Sequence, residues 1–235
     1  MTQTTRSTRL SKTPFWRTAW AIMSKDLRAE LRSRELVSAM LLFTLLAIMI
    51  FSFALELDRI TREEVVSGVL WVTVVFASIL GLNRSMAMER EQGNMDAMLL
   101  APIDRSAIFA GKMAGNFIFT LVVGVVLLPL TTVLYNVPVA RPMLALVLLL
   151  GIWGFSTVGT LLAAMTVQTR ARETLLPIVM LPVVLPLLLA AVRASNGIIA
   201  DAPAEQWQAW PQVLLVIDVI YLVMCLLMFP YVVEE

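Results

Sequence analysis

Six stretches of this chain are long and apolar enough to cross a bilayer, and that fact limits the fold more than any other. They lie at about residues 36–55, 65–82, 116–137, 143–167, 175–193 and 213–233. A membrane helix needs roughly 20 apolar residues. The first two runs carry no charged residue at all. Hydrophobic residues make up 59% of the chain, against about 45–50% in an average soluble domain. None of the runs alternates apolar and polar positions as a barrel strand must. In lipid, helices are the remaining way to satisfy the backbone. The expected fold is an all-α integral membrane protein with six transmembrane helices, forming one membrane domain over residues 1–235.

Lys and Arg in the flanks set the orientation. Residues 1–35 hold eight of them, the segment after the second run four, and the segment after the fourth run two. The other side has only Arg59, Arg62, Arg141 and Arg193. Fourteen against four places both termini on the cytoplasmic side. The first run begins near Leu36 after a long charged segment, too late for a cleaved signal, so it reads as a retained span.

Residues 14–35 read as an amphipathic helix before the first span. Trp16, Trp20, Met23, Leu27 and Leu31 recur at three- and four-residue steps, with Arg17, Lys25, Arg28 and Arg32 on other faces. Such a helix lies in the interface plane with its tryptophans at headgroup depth. On the opposite side, the 194–212 segment carries Trp207 and Trp210, which suit an interfacial belt or a short helix on the outer leaflet.

The 83–115 segment is the best candidate site. Its charges alternate in sign through Arg84, Glu89, Arg90, Glu91 and Asp96. Gly93 interrupts the helix formers. Met98, Leu99 and Leu100 form an apolar knob, and Pro102 closes that helix. Asp104 can cap the following helix, 105–115, which leads into the third span. A short helix with an apolar knob suits a groove on another protein; an ordinary solvated loop folded onto the membrane has the same composition.

Several chemistries are excluded. The chain has no histidine and one cysteine, Cys225. No Ser-His or Cys-His nucleophile system exists, no intramolecular disulfide forms, and no metal site is expected. Gly111-Lys112 is followed by Met113 and lacks the preceding glycine of a phosphate-binding loop, so no nucleotide site is expected. The fourteen methionines lie mostly in apolar runs and read as core fillers.

Asp218 is the only acid inside a span. An intramembrane carboxylate is a functional candidate, yet its nearness to Pro211 favours a position that reaches water at the outer interface. Arg193 can pair with it there, closing the outer mouth of a pathway or holding two spans together. The fifth run contains Pro177, Pro182 and Pro186, each removing a backbone hydrogen bond, so that helix either bends during transport or is statically curved. Ser156, Thr160 and Ala164 form a small-residue face for close helix packing.

The order Glu89-Arg90-Glu91-Gln92-Gly93, then Leu99-Leu100-Ala101-Pro102, then Gly111-Lys112 resembles ABC-2-type transporter permeases. A narrower resemblance is to heme exporter protein B, the CcmB permease of cytochrome c maturation. It is carried by Lys25-Asp26-Leu27-Arg28-x-Glu30, Phe76-Ala77-Ser78-Ile79-Leu80-Gly81-Leu82-Asn83-Arg84, residues 99–112, Gly159-Thr160-Leu161-Leu162-Ala163-Ala164-Met165 and Thr169-Arg170-Ala171-Arg172-Glu173. It covers about residues 20–195.

The resemblance implies a multi-pass permease of the bacterial inner membrane with no enzymatic activity of its own. A cytoplasmic ABC ATPase holds the ATP and docks on the 83–112 segment, whose middle is the coupling helix between spans two and three. Glu89, Arg90, Glu91, Gly93, Met98, Leu99, Leu100 and Pro102 are its coupling residues. Two transmembrane subunits form one transporter, beside other membrane subunits and a heme chaperone. Heme is a possible cargo and no cofactor is bound by this chain; no nucleic acid is involved. Two alternatives stay open: an ABC-2-type exporter of lipid, polysaccharide or drug, and a non-transporting scaffold for an ATPase.

Overall fold

The computed structural model describes residues 14–55, 59–91, 93, 97–98, 100–137, 141–166, 169 and 172–232. Eight helices are delimited: α1 (Phe15–Ser33), α2 (Glu35–Ala54), α3 (Arg59–Glu91), α4 (Arg105–Tyr135), α5 (Pro142–Thr166), α6 (Arg172–Ile199), α7 (Ala204–Trp207) and α8 (Ala209–Val232). Six of them are long and apolar enough to cross a membrane, by length and composition. They correspond one to one with the six apolar runs.

The bundle is arranged around α5, which packs against α3, α4, α6 and α8. Its sequence explains that position. Gly151, Gly154 and Gly159 let neighbouring side chains settle on its backbone. A Cβ at Gly151 would lie 2.2 Å from the Trp71 ring, and one at Gly159 2.3 Å from Leu82. Ser156, Thr160 and Ala164 are buried against helices of this same chain, and the Thr160 hydroxyl accepts a bond from the Asn116 amide at 3.1 Å. The small-residue face is therefore internal packing. By contrast, α2 is peripheral and exposes Leu42, Leu45, Leu46, Ile50 and Phe53.

Three helices are much longer than their apolar runs, α3, α4 and the 28-residue α6. With 33 residues, α3 extends about 50 Å, and α4 with 31 about 46 Å; the hydrocarbon core is roughly 30 Å thick. Both therefore overshoot, and they do so at the end where α3 finishes and α4 begins. Over 83–115 the expected helix, break and second helix are present as the end of α3, the turn at Gly93 and the start of α4. The Asp104 side chain caps α4 by accepting the Ser106 backbone N–H at 2.9 Å, as its position before the apolar run predicts.

At the same end α1 and α2 meet through a single residue, Arg34, with φ 56°. The turn is held by Glu30, whose carboxylate accepts the backbone N–H groups of Leu36 (3.3 Å) and Val37 (2.8 Å). These are orphan donors of the first turn of α2. At the opposite end, the Arg141 guanidinium donates to the Ile198 carbonyl (2.6 Å) and to Asp201 (2.7 Å), joining the start of α5 to the end of α6. Trp207 is half-buried over Gly197, where a Cβ would come within 2.4 Å, so it is a packing residue of the short α7.

Adding a branched side chain at Gly151 should be poorly tolerated. We predict that Gly151→Val lowers the thermal unfolding midpoint by the equivalent of about 1–3 kcal/mol or more, because the Trp71 ring cannot move while its Nε1–H is bonded to Ser195 at 2.8 Å. An unchanged midpoint in the same lipid would contradict this close contact.

Candidate functional site

An ion cluster sits where α1 crosses the stubs of α3 and α4. Lys112, on the second turn of α4, is only 2% exposed. An ammonium this deep needs partners, since burying an isolated charge costs several kcal/mol. It has two. Its Nζ lies 2.8 Å from Asp26 Oδ2 on α1 and 2.7 Å from Glu89 Oε1 on α3. Lys25, beside Asp26 on α1, bonds the same Glu89 oxygen at 2.7 Å and Asp26 Oδ1 at 3.3 Å. Two cations and two carboxylates from three helices thus form one closed set.

Lys25 is the half-exposed rim of this set. Burial pulls its ammonium down, but the hydrogen bond to Glu89 and the charges of Asp26 and Glu89 outweigh that, and its pKa lies above the usual lysine value. The other Glu89 oxygen, Oε2, is buried without a hydrogen-bond partner. It borders a cleft of about 240 Å³ lined by Glu30, Leu36, Ser85, Met88 and Phe119.

Close backbone contact supports the cluster. A Cβ at Gly111 would lie 2.7 Å from the Ala19 carbonyl oxygen and 2.8 Å from Ile22 Cβ. The face of α1 turned to the bundle is therefore Thr18, Ala19, Ile22, Asp26 and Glu30, all buried. Trp16 (79% exposed) and Trp20 face outward, as a helix lying at an interface would present them.

The sequence-predicted residues fall into three groups. Glu89, expected on the exposed segment, faces inward into the cluster. Arg90 and Glu91 are exposed on the last turn of α3. Gly93 then adopts φ +65°, in the left-handed region open to glycine, with its N–H bonded to the Arg90 carbonyl at 3.1 Å. Past this break, the apolar knob divides. Met98 is half-buried against the main core, whereas Leu100 is 87% exposed. Pro102 is exposed in the bend before Asp104. Leu99 and Asp96 lie outside the described residues.

The second group concerns the spans. Asp218 is 3% exposed and neither of its carboxyl oxygens has a hydrogen-bond partner. This corrects the expectation of a water-reaching carboxylate. It lies nine residues into α8, five past Val213, where the apolar run begins. No ion pair with Arg193 forms; Arg193 is exposed, six residues further along α6 than Leu187, which touches Asp218's surroundings. Pro177, Pro182 and Pro186 all lie inside one continuous helix.

The third group is what sequence reasoning missed: the pairing of Lys25, Asp26 and Lys112 with Glu89. A signal was present. Ala19, Ile22, Asp26 and Glu30 are spaced three or four apart, one stripe that puts two acids in line with small apolar residues.

The depth of the cluster separates it from surface pairs. We predict that Glu89→Gln costs about 3–5 kcal/mol of stability, since it leaves Lys112 buried with one carboxylate shared between two ammoniums. Glu35→Gln removes the exposed 2.7 Å pair with Arg84 and should cost only about 0–1 kcal/mol. Equal effects on the unfolding midpoint would contradict the assignment.

The chain is similar to known proteins over most of its length. A family model described as CcmB protein matches residues 17–234, taking in α1 through α8. Heme exporter protein B of Rhodobacter capsulatus is 31% identical over 188 residues, 78% of this chain and 86% of the relative. The protein of the same name from Paracoccus denitrificans is 29% identical, over 74% of this chain and 80% of the relative. That from Escherichia coli K12 is 26% identical, over 81% and 87%. With a family match from residue 17 to residue 234 and a relative 31% identical over most of both chains, this chain belongs to the CcmB protein family.

Proposed function

We propose that this chain is the membrane permease subunit of an ABC transporter acting in cytochrome c maturation. In this reading it couples ATP hydrolysis by a separate cytoplasmic subunit to heme export, or to release of a heme chaperone on the outer face. The carrying observation is the family match from residue 17 to residue 234, among relatives named heme exporter protein B. Heme is substrate here. With no histidine in the chain, imidazole ligation of its iron falls to partner proteins.

The same reading places the chain in the bacterial inner membrane with both termini cytoplasmic, following the fourteen-to-four distribution of Lys and Arg. Two membrane subunits build one transporter. The ATPase grips the segment between α3 and α4, where Gly93 turns the chain and Leu100 projects. Force applied there is delivered to both stubs at once, because Glu89 before the segment and Lys112 after it share one ion cluster with α1.

An exposed leucine at the centre of a docking surface acts as an anchor, and burying a charge in its place is costly. We predict that Leu100→Asp or Leu99→Asp weakens co-purification of the nucleotide-hydrolysing subunit by on the order of tenfold or more, a loss of about 1.4 kcal/mol or greater. The unfolding midpoint of the chain itself should be unchanged. Undiminished co-purification by both variants would remove this segment as the docking surface.

A further inference from the structure

We propose that Asp218 is a proton-binding site at the joint between α6 and α8, neutral while the joint is closed and deprotonated when α6 bends between Pro182 and Pro186. The proposal stands apart from the ATPase reading and rests on what surrounds this one carboxyl group. Both its oxygens are buried and unbonded. Oδ1 lies against the backbone of α5, where a Cβ at Gly154 would be 2.3 Å away, and the Leu187 side chain of α6 covers the same spot at 2.0 Å from that Cβ position.

Among the described residues no cation is placed to compensate it. α8 packs against α4, α5, α6 and α7. α5 contains no titratable residue, and α7 has only the exposed Glu205. In α4, Lys112 is committed to Asp26 and Glu89, while Arg105 and Tyr135 stand at the two ends. In α6, Arg172 and Glu173 stand at its start and Arg193 is exposed near its end. On α8 itself, Tyr221 bonds elsewhere and Cys225 and Tyr231 lie further along. An isolated carboxylate in an apolar interior takes up a proton rather than remain charged.

The joint is built to open. Asp218 and Tyr221 are three residues apart and share a face of α8. The Tyr221 hydroxyl donates to the Val183 carbonyl at 2.7 Å, within the stretch between Pro182 and Pro186. Pro186 has no N–H, so the carbonyl one turn before it lacks its helical donor and α6 is weakened there. A bend at this point carries Leu187 off the carboxyl group. Water then enters, the O–H bond of the acid breaks, and the proton passes to that water.

Infrared spectroscopy of the full-length chain in lipid nanodiscs, with aspartate carboxyl carbons ¹³C-labelled, tests this. At neutral pH the wild type should show a protonated-carboxyl stretch that shifts with the label. It should vanish in Asp218→Asn, and in Asp218→Glu it should lose its dependence on labelled aspartate. Tyr221→Phe, which removes the α6–α8 bond but leaves Asp218 in place, should reduce the band at neutral pH as water reaches the joint. Absence of a label-sensitive band in the wild type, or its persistence in Asp218→Asn, overturns the site. A band of equal intensity in Tyr221→Phe overturns its link to the bending of α6.

Discussion

A buried ammonium whose only carboxylate partners lie on two other helices determines how this protein is put together. Lys112 cannot be buried at the start of α4 unless α1 supplies Asp26 and α3 supplies Glu89. The desolvation cost of such a group is several kcal/mol, so the geometry around it is strongly selective. Docking of α1 onto the bundle follows, with Gly111 letting the two backbones approach. An N-terminal helix that composition alone would leave floating at an interface is thereby made part of the same rigid end. The polar caps nearby serve the same end: Glu30 fixes the turn into α2, and Asp104 starts α4.

That end differs in kind from the rest of the bundle. In α5 half of the buried residues are glycine, alanine, serine or threonine, interleaved with large apolar ones, and hydrogen bonds such as Asn116 to Thr160 and Trp71 to Ser195 join the neighbouring helices. Small residues matter because lipid offers no hydrophobic drive for helix association and close contact must supply it. The ion cluster ties three helices together at one end, whereas α6 carries three prolines inside a continuous helix and is fastened to α8 through the Tyr221 hydroxyl.

Much of this architecture was legible in the sequence. Six runs gave six membrane-length helices, Gly93 marked a break with positive φ, and Asp104 marked a cap. Each of these is a local signal, written within a few residues. The ion cluster was not legible because Lys112 in isolation reads as one more basic residue on the cytoplasmic flank. Only the 86-residue separation between Asp26 and Lys112 closing in space reveals its role. After the second span a helix, a break and a second helix were expected, but not that the first is the unbroken end of α3. Polarity marks the end of the hydrocarbon, whereas the helix continues until Gly93 stops it. Asp218 was placed in water by counting residues from Pro211; its burial depends on Gly154 and Leu187, which belong to other helices. The three prolines did not divide α6, since neighbouring groups in a membrane bundle accommodate the freed carbonyls.

The most direct test of the account is a double-mutant cycle between Asp26 and Lys112. Unfolding midpoints of Asp26→Asn, Lys112→Met and the double variant would be measured in one lipid composition. If the cluster joins α1 to the bundle, the double variant is less damaged than the sum of the singles, by a coupling of about 1–3 kcal/mol. Additive losses would mean that the two charges act independently and that α1 is held by apolar contact alone.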